Sequence, residues 1–130
     1  TTGTFHETVD FDPGPGSFFL SAAGTDQGTF VQKLDKDGNF KWAKAITGTG
    51  EAAGLGLTVD LSGAVYTTGA YSGTVDFDPG GGIYNLTSAG WSDLFIQKLN
   101  SSGDLAWAAG IGDSLWEGGY DIVADDFGEF

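Results

Sequence analysis

Thr8-Val-Asp-Phe-Asp-Pro-Gly14 returns letter for letter as Thr74-Val-Asp-Phe-Asp-Pro-Gly80, 66 residues further on. The likeness continues on both sides. Phe30-Val-Gln-Lys-Leu34 returns as Phe95-Ile-Gln-Lys-Leu99 and Trp42-Ala43 as Trp107-Ala108, now 65 residues apart, so one residue has been lost between. Thr1-Thr2-Gly3 matches Thr67-Thr68-Gly69, and Asp125 to Phe130 matches Asp60 to Val65 through a shared Asp-x-x-Gly frame. Only a counterpart of Tyr66 is missing, as if a window two units wide had been cut from a longer array through a strand. The repeats are assigned to residues 1–66, permuted so as to start mid-strand, and 67–130. Such modules bury their apolar faces on neighbours rather than on themselves, so neither is expected to fold alone.

Composition restricts the class. Twenty-three glycines and ten phenylalanines, with abundant Thr and Val, favour strands and tight turns, and almost no helix is expected. A formal charge of -13 without a single arginine repels phosphate backbones and anionic lipid, so nucleic acid and membrane insertion are not expected. The acidic balance favours cations, and calcium is available mainly outside cells. Without cysteine there is no disulfide frame and no thiolate chemistry. No apolar run approaches the roughly 18 residues of a membrane span. With no methionine anywhere, Thr1 reads as an internal or processed start, and any targeting segment would lie outside this stretch.

Four segments share one turn grammar: Asp35-Lys-Asp-Gly38, Asp60-Leu-Ser-Gly63, Asn100-Ser-Ser-Gly103 and Asp125-Asp-Phe-Gly128. The first residue can accept a turn amide and the glycine can take positive φ, which gives a type I turn closed by a bulge. A further turn, Asp12-Pro-Gly-Pro15 and Asp78-Pro-Gly-Gly81, carries the Pro-Gly pattern of type II. Strands are expected at Leu55 to Asp60, Ala64 to Ala70, Phe30 to Leu34 and Phe40 to Ile46, with an added hairpin from Thr8 to Ala22. Alternation puts Phe30, Gln32 and Leu34 on one face against Val31 and Lys33, and Phe40, Trp42 and Ile46 against Ala43 and Ala45.

Both faces are largely apolar, which suits sheets stacked on sheets at either side. The fold class is therefore all-β: two four-stranded antiparallel blades of a β-propeller, part of a larger propeller or an oligomeric ring. About 4 to 8 blades usually close such a ring, so further blades are expected from a longer parent chain or from other copies. The isolated segment is expected to be oligomeric or aggregated in solution. A further expectation is that the end strand of one chain pairs with the start of the next, linking copies into a ring or fibre.

Leu57-Thr-Val-Asp60-Leu-Ser-Gly63-Ala-Val-Tyr66-Thr-Thr-Gly69, with Phe30-Val-Gln-Lys-Leu-Asp-Lys-Asp-Gly38-Asn-Phe-Lys-Trp42-Ala, resembles the bacterial β-propeller repeats of large secreted and surface proteins. The Val-Asp-Phe-Asp-Pro-Gly version looks like those in multi-repeat exported proteins of aquatic bacteria. The resemblance covers both copies and implies a propeller in an extracellular or cell-surface protein. It carries over no catalytic residue.

Asp10 and Asp12 project from one strand face beside Thr8, and Asp76 and Asp78 repeat the arrangement beside Thr74. They read either as half of a Ca²⁺ site, the one cofactor suggested here, or as a charged strand edge that starts the Pro-Gly turn. Asp35-Lys-Asp-Gly38 resembles the start of a calcium loop, but its counterpart Asn100-Ser-Ser-Gly103 keeps only the glycine, so it reads as a turn. Trp42 and Trp107 occupy the same place in both copies and read as inter-blade packing. Trp91 and Trp116 have no aromatic counterpart, lie in glycine-rich connections and are the candidate ligand-binding residues. His6 is the one histidine, with no second to complete a metal or catalytic set, and reads as a surface residue; no Gly-x-Ser-x-Gly elbow frames a nucleophile, and the glycine-rich stretch from Gly48 to Gly56 lacks the Lys-Ser/Thr pair of a phosphate loop. An enzyme is not expected. The expected function is a structural or adhesive scaffold or a protein-interaction module; the alternative is a propeller that binds carbohydrate or another ligand, with calcium-stabilised loops.

Overall fold

The computed structural model describes residues 1–22, 27–125 and 128–130. Eleven strands and no helix occur among them: β1 (Thr2–Phe5), β2 (Thr8–Asp10), β3 (Phe19–Ser21), β4 (Gly28–Leu34), β5 (Phe40–Gly48), β6 (Glu51–Val59), β7 (Val65–Ser72), β8 (Thr74–Asp76), β9 (Asn85–Thr87), β10 (Asp93–Leu99) and β11 (Leu105–Ile111). All strand pairs are antiparallel.

One complete four-stranded blade has the order β11-β10-β7-β6, and it straddles the boundary between the sequence repeats. The other blade holds β1, β4 and β5 and is extended by the β8-β9 hairpin, while β2 and β3 form a two-stranded ribbon. The first blade thus lacks a counterpart of β6. By the 65-residue offset that counterpart is the segment 116–124, which lies on the far side of the complete blade.

Glycine turns close the hairpins as the sequence suggests. Gly38, Gly63, Gly103 and Gly128 all have φ between +79° and +86°. In the first three turns the leading Asp or Asn side chain accepts two turn amides, as Asp60 does from Ser62 at 2.8 Å and Ala64 at 3.0 Å. Asp126 and Phe127 of the fourth turn lie outside the described residues.

Two expectations need correction. The Asp12-Pro-Gly-Pro15 and Asp78-Pro-Gly-Gly81 turns are not type II, since neither Gly14 nor Gly80 has positive φ. The turns are held by the aspartates: Asp12 Oδ1 accepts the Gly14 amide and Asp78 Oδ1 that of Gly80, both at 2.8 Å. The second carboxylate oxygen of each sits where a Cβ on Gly16 or Gly82 would be. The second correction concerns Phe40. A bulge between Lys33 and Leu34 sets Leu34 opposite Phe40 while Lys33 stays opposite Trp42. The extra residue flips the face, so Phe40 joins Phe30, Ala43 and Ala45 and packs on Phe18, with ring centroids 5.0 Å apart.

Both repeats build the same aromatic knot. Phe5, Phe11 and Phe30 form it in the first copy, and Tyr71, Phe77 and Phe95 in the second; the leading pairs are edge-on at 5.4 Å in both. Gln32 and Gln97 each donate their side-chain amide to the carbonyl of the middle phenylalanine. The second knot is sealed, with Phe77 and Phe95 at 0% exposure and Ile46 of the first blade packed against them. A neighbouring cluster of Val31, Val65 and Leu99, with Trp42 against it, joins the two blades. Trp42 Nε1 also reaches across to the Ser101 carbonyl at 3.3 Å, so the inter-blade place expected for this tryptophan is the one observed.

Candidate functional site

Two loops at one end of the complete blade are laced together by backbone bonds. The amides of Trp91 and Ser92 both donate to the Leu115 carbonyl, at 3.1 and 3.4 Å, and the Glu117 amide donates to the Ser92 carbonyl at 2.8 Å. Ser92 and Trp116 form a parallel bridge. Gly90 makes this approach possible, because a Cβ there would stand 2.6 Å from the carbonyl carbon of Ser114. Asp113 Oδ1 accepts the Leu115 amide at 2.9 Å, and Glu117 Oε2 accepts that of Asp113 at 3.1 Å, which fixes the second loop.

This lacing brings Trp91 and Trp116, 25 residues apart in sequence, to the rim of one shallow cleft of about 370 Å³. Glu51 and Ser72 contribute polar groups to its lining, and Tyr71 part of its wall. Trp91 is 83% exposed and Trp116 60%, and Tyr120 lies 6.5 Å from the Trp116 ring. Two large apolar side chains facing solvent on a fixed backbone are surface that water tolerates poorly, and therefore surface available to a partner. Glu51 is the repeat counterpart of Trp116, so the cleft sets the two versions of one position side by side. Sequence reasoning singled out both tryptophans but gave no sign that they share a site, because loop-to-loop lacing leaves no periodic trace.

The four aspartates fall elsewhere, on the β2-β3 and β8-β9 hairpins. Asp10 Oδ1 accepts the amides of Asp12 at 3.0 Å and Phe18 at 2.8 Å, and Asp76 Oδ1 those of Asp78 and Tyr84 at the same distances. The structure thus pairs Asp10 with Asp12 and Asp76 with Asp78 through one turn each, while keeping the two pairs on separate hairpins. Each pair supplies two carboxylates, oriented by amides, against the roughly six to eight oxygens calcium takes. Among the described residues no three His, Cys, Asp or Glu side chains converge.

These bonds make a pH prediction. The Phe18 amide, then that of Asp12, holds the Asp10 carboxyl below the usual range; the Asn39 backbone and side-chain amides do so for Asp35, and the Ser62 hydroxyl and Ala64 amide for Asp60. A depressed folded-state value stabilises the fold above the unfolded value and is lost as pH falls through the folded one. Protonation also relieves the repulsion of a chain at -13, which acts in the opposite sense. With these amide bonds lost as the carboxylates protonate, Tm is expected to hold from neutral pH to about 5 and to fall below about 4. Thermal melts across that range check it.

No protein-family model matches the chain. It is similar to an uncharacterized WD repeat-containing protein of Acanthamoeba polyphaga mimivirus, at 27% identity over 103 residues, which is 75% of this chain and 7% of that protein. The chain therefore spans a small part of the relative's length. With the all-β, antiparallel blades described above, this likeness marks a repeat protein of propeller type.

Proposed function

We propose that this chain is a non-enzymatic propeller repeat, a rigid scaffold that presents the Trp91–Trp116 cleft to a partner protein, in an extracellular or cell-surface setting. The observation that carries the reading is the pair of exposed tryptophans fixed on one cleft by backbone bonds between two loops. Rigid aromatic anchors of this kind carry much of the binding energy of protein contacts. Among the described residues that line the cleft, Glu51 is the one carboxylate and there is no histidine. The extracellular setting is supported by the resemblance of the motif to secreted and surface repeats.

A carbohydrate is the second reading, favoured by Glu51 and Ser72 beside the rings, since sugars stack on tryptophan and donate hydroxyls to carboxylates. Trp91→Ala and Trp116→Ala are each expected to change unfolding free energy by no more than about 0.5 kcal/mol, as surface substitutions do. Both are expected to abolish partner binding. Urea melts with a glycan array separate the readings: Trp-dependent array hits assign a sugar. A blank array with Trp-dependent protein binding assigns a protein, and binding unaffected by both variants removes the cleft from the function.

A further inference from the structure

Two pairs of open edges in this chain are mates that it cannot join by itself, and in each case the other repeat shows the joined form. In the complete blade, β7 is bonded to β10 on one side and to β6 on the other. Among the described residues its counterpart β1 is bonded to β4 alone. Among the described residues the counterpart of β6, the segment 116–124, belongs to no sheet. The same holds at the outer rim. The β8 strand pairs with the end of β5, Thr47 opposite Asp76 and Gly48 opposite Val75, whereas among the described residues β2 and the end of β11 have no such neighbour.

The segment, tied to the complete blade by the Glu117 amide on the Ser92 carbonyl and the Gly119 amide on that of Gly69, already lies where a blade strand would. A Cβ on Gly54 would meet Thr2 and, at 2.7 Å, Thr29 of the first blade; one on Gly119 would meet Thr68 and, at 3.1 Å, Leu94, the repeat counterparts of those residues. The described ends of its closing turn match too. The Gly128 amide donates to the Asp125 carbonyl at 3.1 Å as the Gly63 amide does to that of Asp60 at 2.9 Å, and both glycines have φ of +79°. Trp107 stacks on Phe130 at 5.7 Å, where Trp42 packs on the cluster holding Val65, the counterpart of Phe130.

The chain cannot supply its own mate. A bulge between Gly54 and Gly56 turns these residues to opposite faces of the complete blade. Gly54 faces the first blade, where β1 lies, and Gly56 faces Asp121 of the segment 116–124. One sheet separates the two edges.

We propose that a second copy of this chain fills them head to tail: β1 of one copy pairs with the segment 116–124 of the next, and β2 of the first with the end of β11 of that neighbour. Carried over from β6 and β7, the register sets Gly119 opposite Gly3 and Gly118 opposite Thr4, just as Gly54 faces Gly69 and Ala53 faces Ala70. Carried over from β5 and β8, it sets Gly112 opposite Asp10 and Asp113 opposite Val9. A heterologous contact of this kind closes into a ring when its rotation permits. With about 4 to 8 blades to a propeller, two blades per chain make that about two to four copies. Each copy brings a charge of -13, so salt strengthens the association.

Sedimentation of the 130-residue chain tests this, with mass expected at a whole multiple of 13.4 kDa and rising with salt. Thr1 and Gln32 exchange both backbone bonds, so alternation turns the amides of Thr2 and Thr4 toward the open edge. Thr4→Pro is therefore expected to give a folded monomer, since edge positions tolerate proline. Because the chain has no cysteine, Thr4→Cys and Gly118→Cys proteins mixed and oxidised are expected to cross-link to each other while neither forms homodimers. A monomer at every concentration and salt, without cross-links, overturns the proposal and leaves these edges to further repeats in a longer polypeptide. An assembly that survives Thr4→Pro and gives no cross-link overturns it as well, by placing the contact elsewhere.

Discussion

Phe77→Ala is expected to destabilise the chain by about 3–5 kcal/mol, a large part of the roughly 5–15 kcal/mol that holds an ordinary domain folded. The side chain has no exposed surface and stands in the cluster of Ile46, Tyr71 and Phe95, which comes from both blades. The β8 strand next to it bonds to β5, so the surrounding backbone is fixed by hydrogen bonds and cannot settle into the vacated space. The same substitution at Phe11 removes the same ring from the matching knot. There the covering element is the β2-β3 ribbon, which among the described residues pairs with no other strand, and Phe11 keeps 7% exposure. A lid that can move collapses part of the cavity, so Phe11→Ala is expected near the low end of the range. Urea denaturation of the two variants side by side reads the difference. Equal losses would show that the two knots are held alike and that the inter-blade packing of Phe77 adds nothing.

The repeat itself makes most of this fold legible. Turn glycines at Gly38, Gly63 and Gly103 announce the hairpins because their positive φ is a local requirement, written in the local sequence. Strand positions with large side chains, such as Phe30 to Leu34, were equally plain. The start of β6 was not. The strand begins at Glu51 rather than Leu55, and Glu51-Ala-Ala-Gly54 shows no alternation of large and small. Its residues are small because the first blade crowds them: the Gly54 amide donates to the Thr29 hydroxyl oxygen at 2.8 Å, with no room for a Cβ. That demand comes from a neighbouring sheet, so it reads in sequence only as glycine richness. The face of Phe40 was misread for a related reason, since a bulge is a property of two strands together. At the candidate site each tryptophan was visible as a departure from the repeat, whereas their meeting depends on bonds between distant loops. The pairing of β8 with β5 was hidden likewise, being a contact between repeats.

A second departure from the repeat couples three positions, and it leads to the other large effect. Where the first copy has Phe5, Gly28 and Thr47, the second has Tyr71, Asp93 and Gly112. In the first copy a Cβ on Gly28 would meet Phe5 at 2.9 Å and Thr47 at 3.2 Å, so no side chain fits. In the second, Asp93 occupies that position at 4% exposure, and Gly112 leaves the space, since a Cβ there would stand 2.8 Å from the Asp93 Cβ. The Asp93 carboxylate accepts the Ala89 amide at 3.0 Å through Oδ2, while Oδ1 has no hydrogen-bonding partner among the described residues. Burial, and then the charge of Asp93, pushes the Tyr71 phenol above its ordinary value. Gly112→Thr alone therefore forces a branched side chain onto a buried carboxylate and is expected to destabilise by about 1–3 kcal/mol. Combined with Asp93→Gly it recreates the arrangement of the first copy, and the double variant is expected to recover at least about 1 kcal/mol over the sum of the single losses. Tyr71→Phe added to that pair completes the first-copy set. A urea double-mutant cycle measures the coupling. If Gly112→Thr is as damaging with Gly at position 93 as with Asp, the two positions are independent and the steric account is wrong.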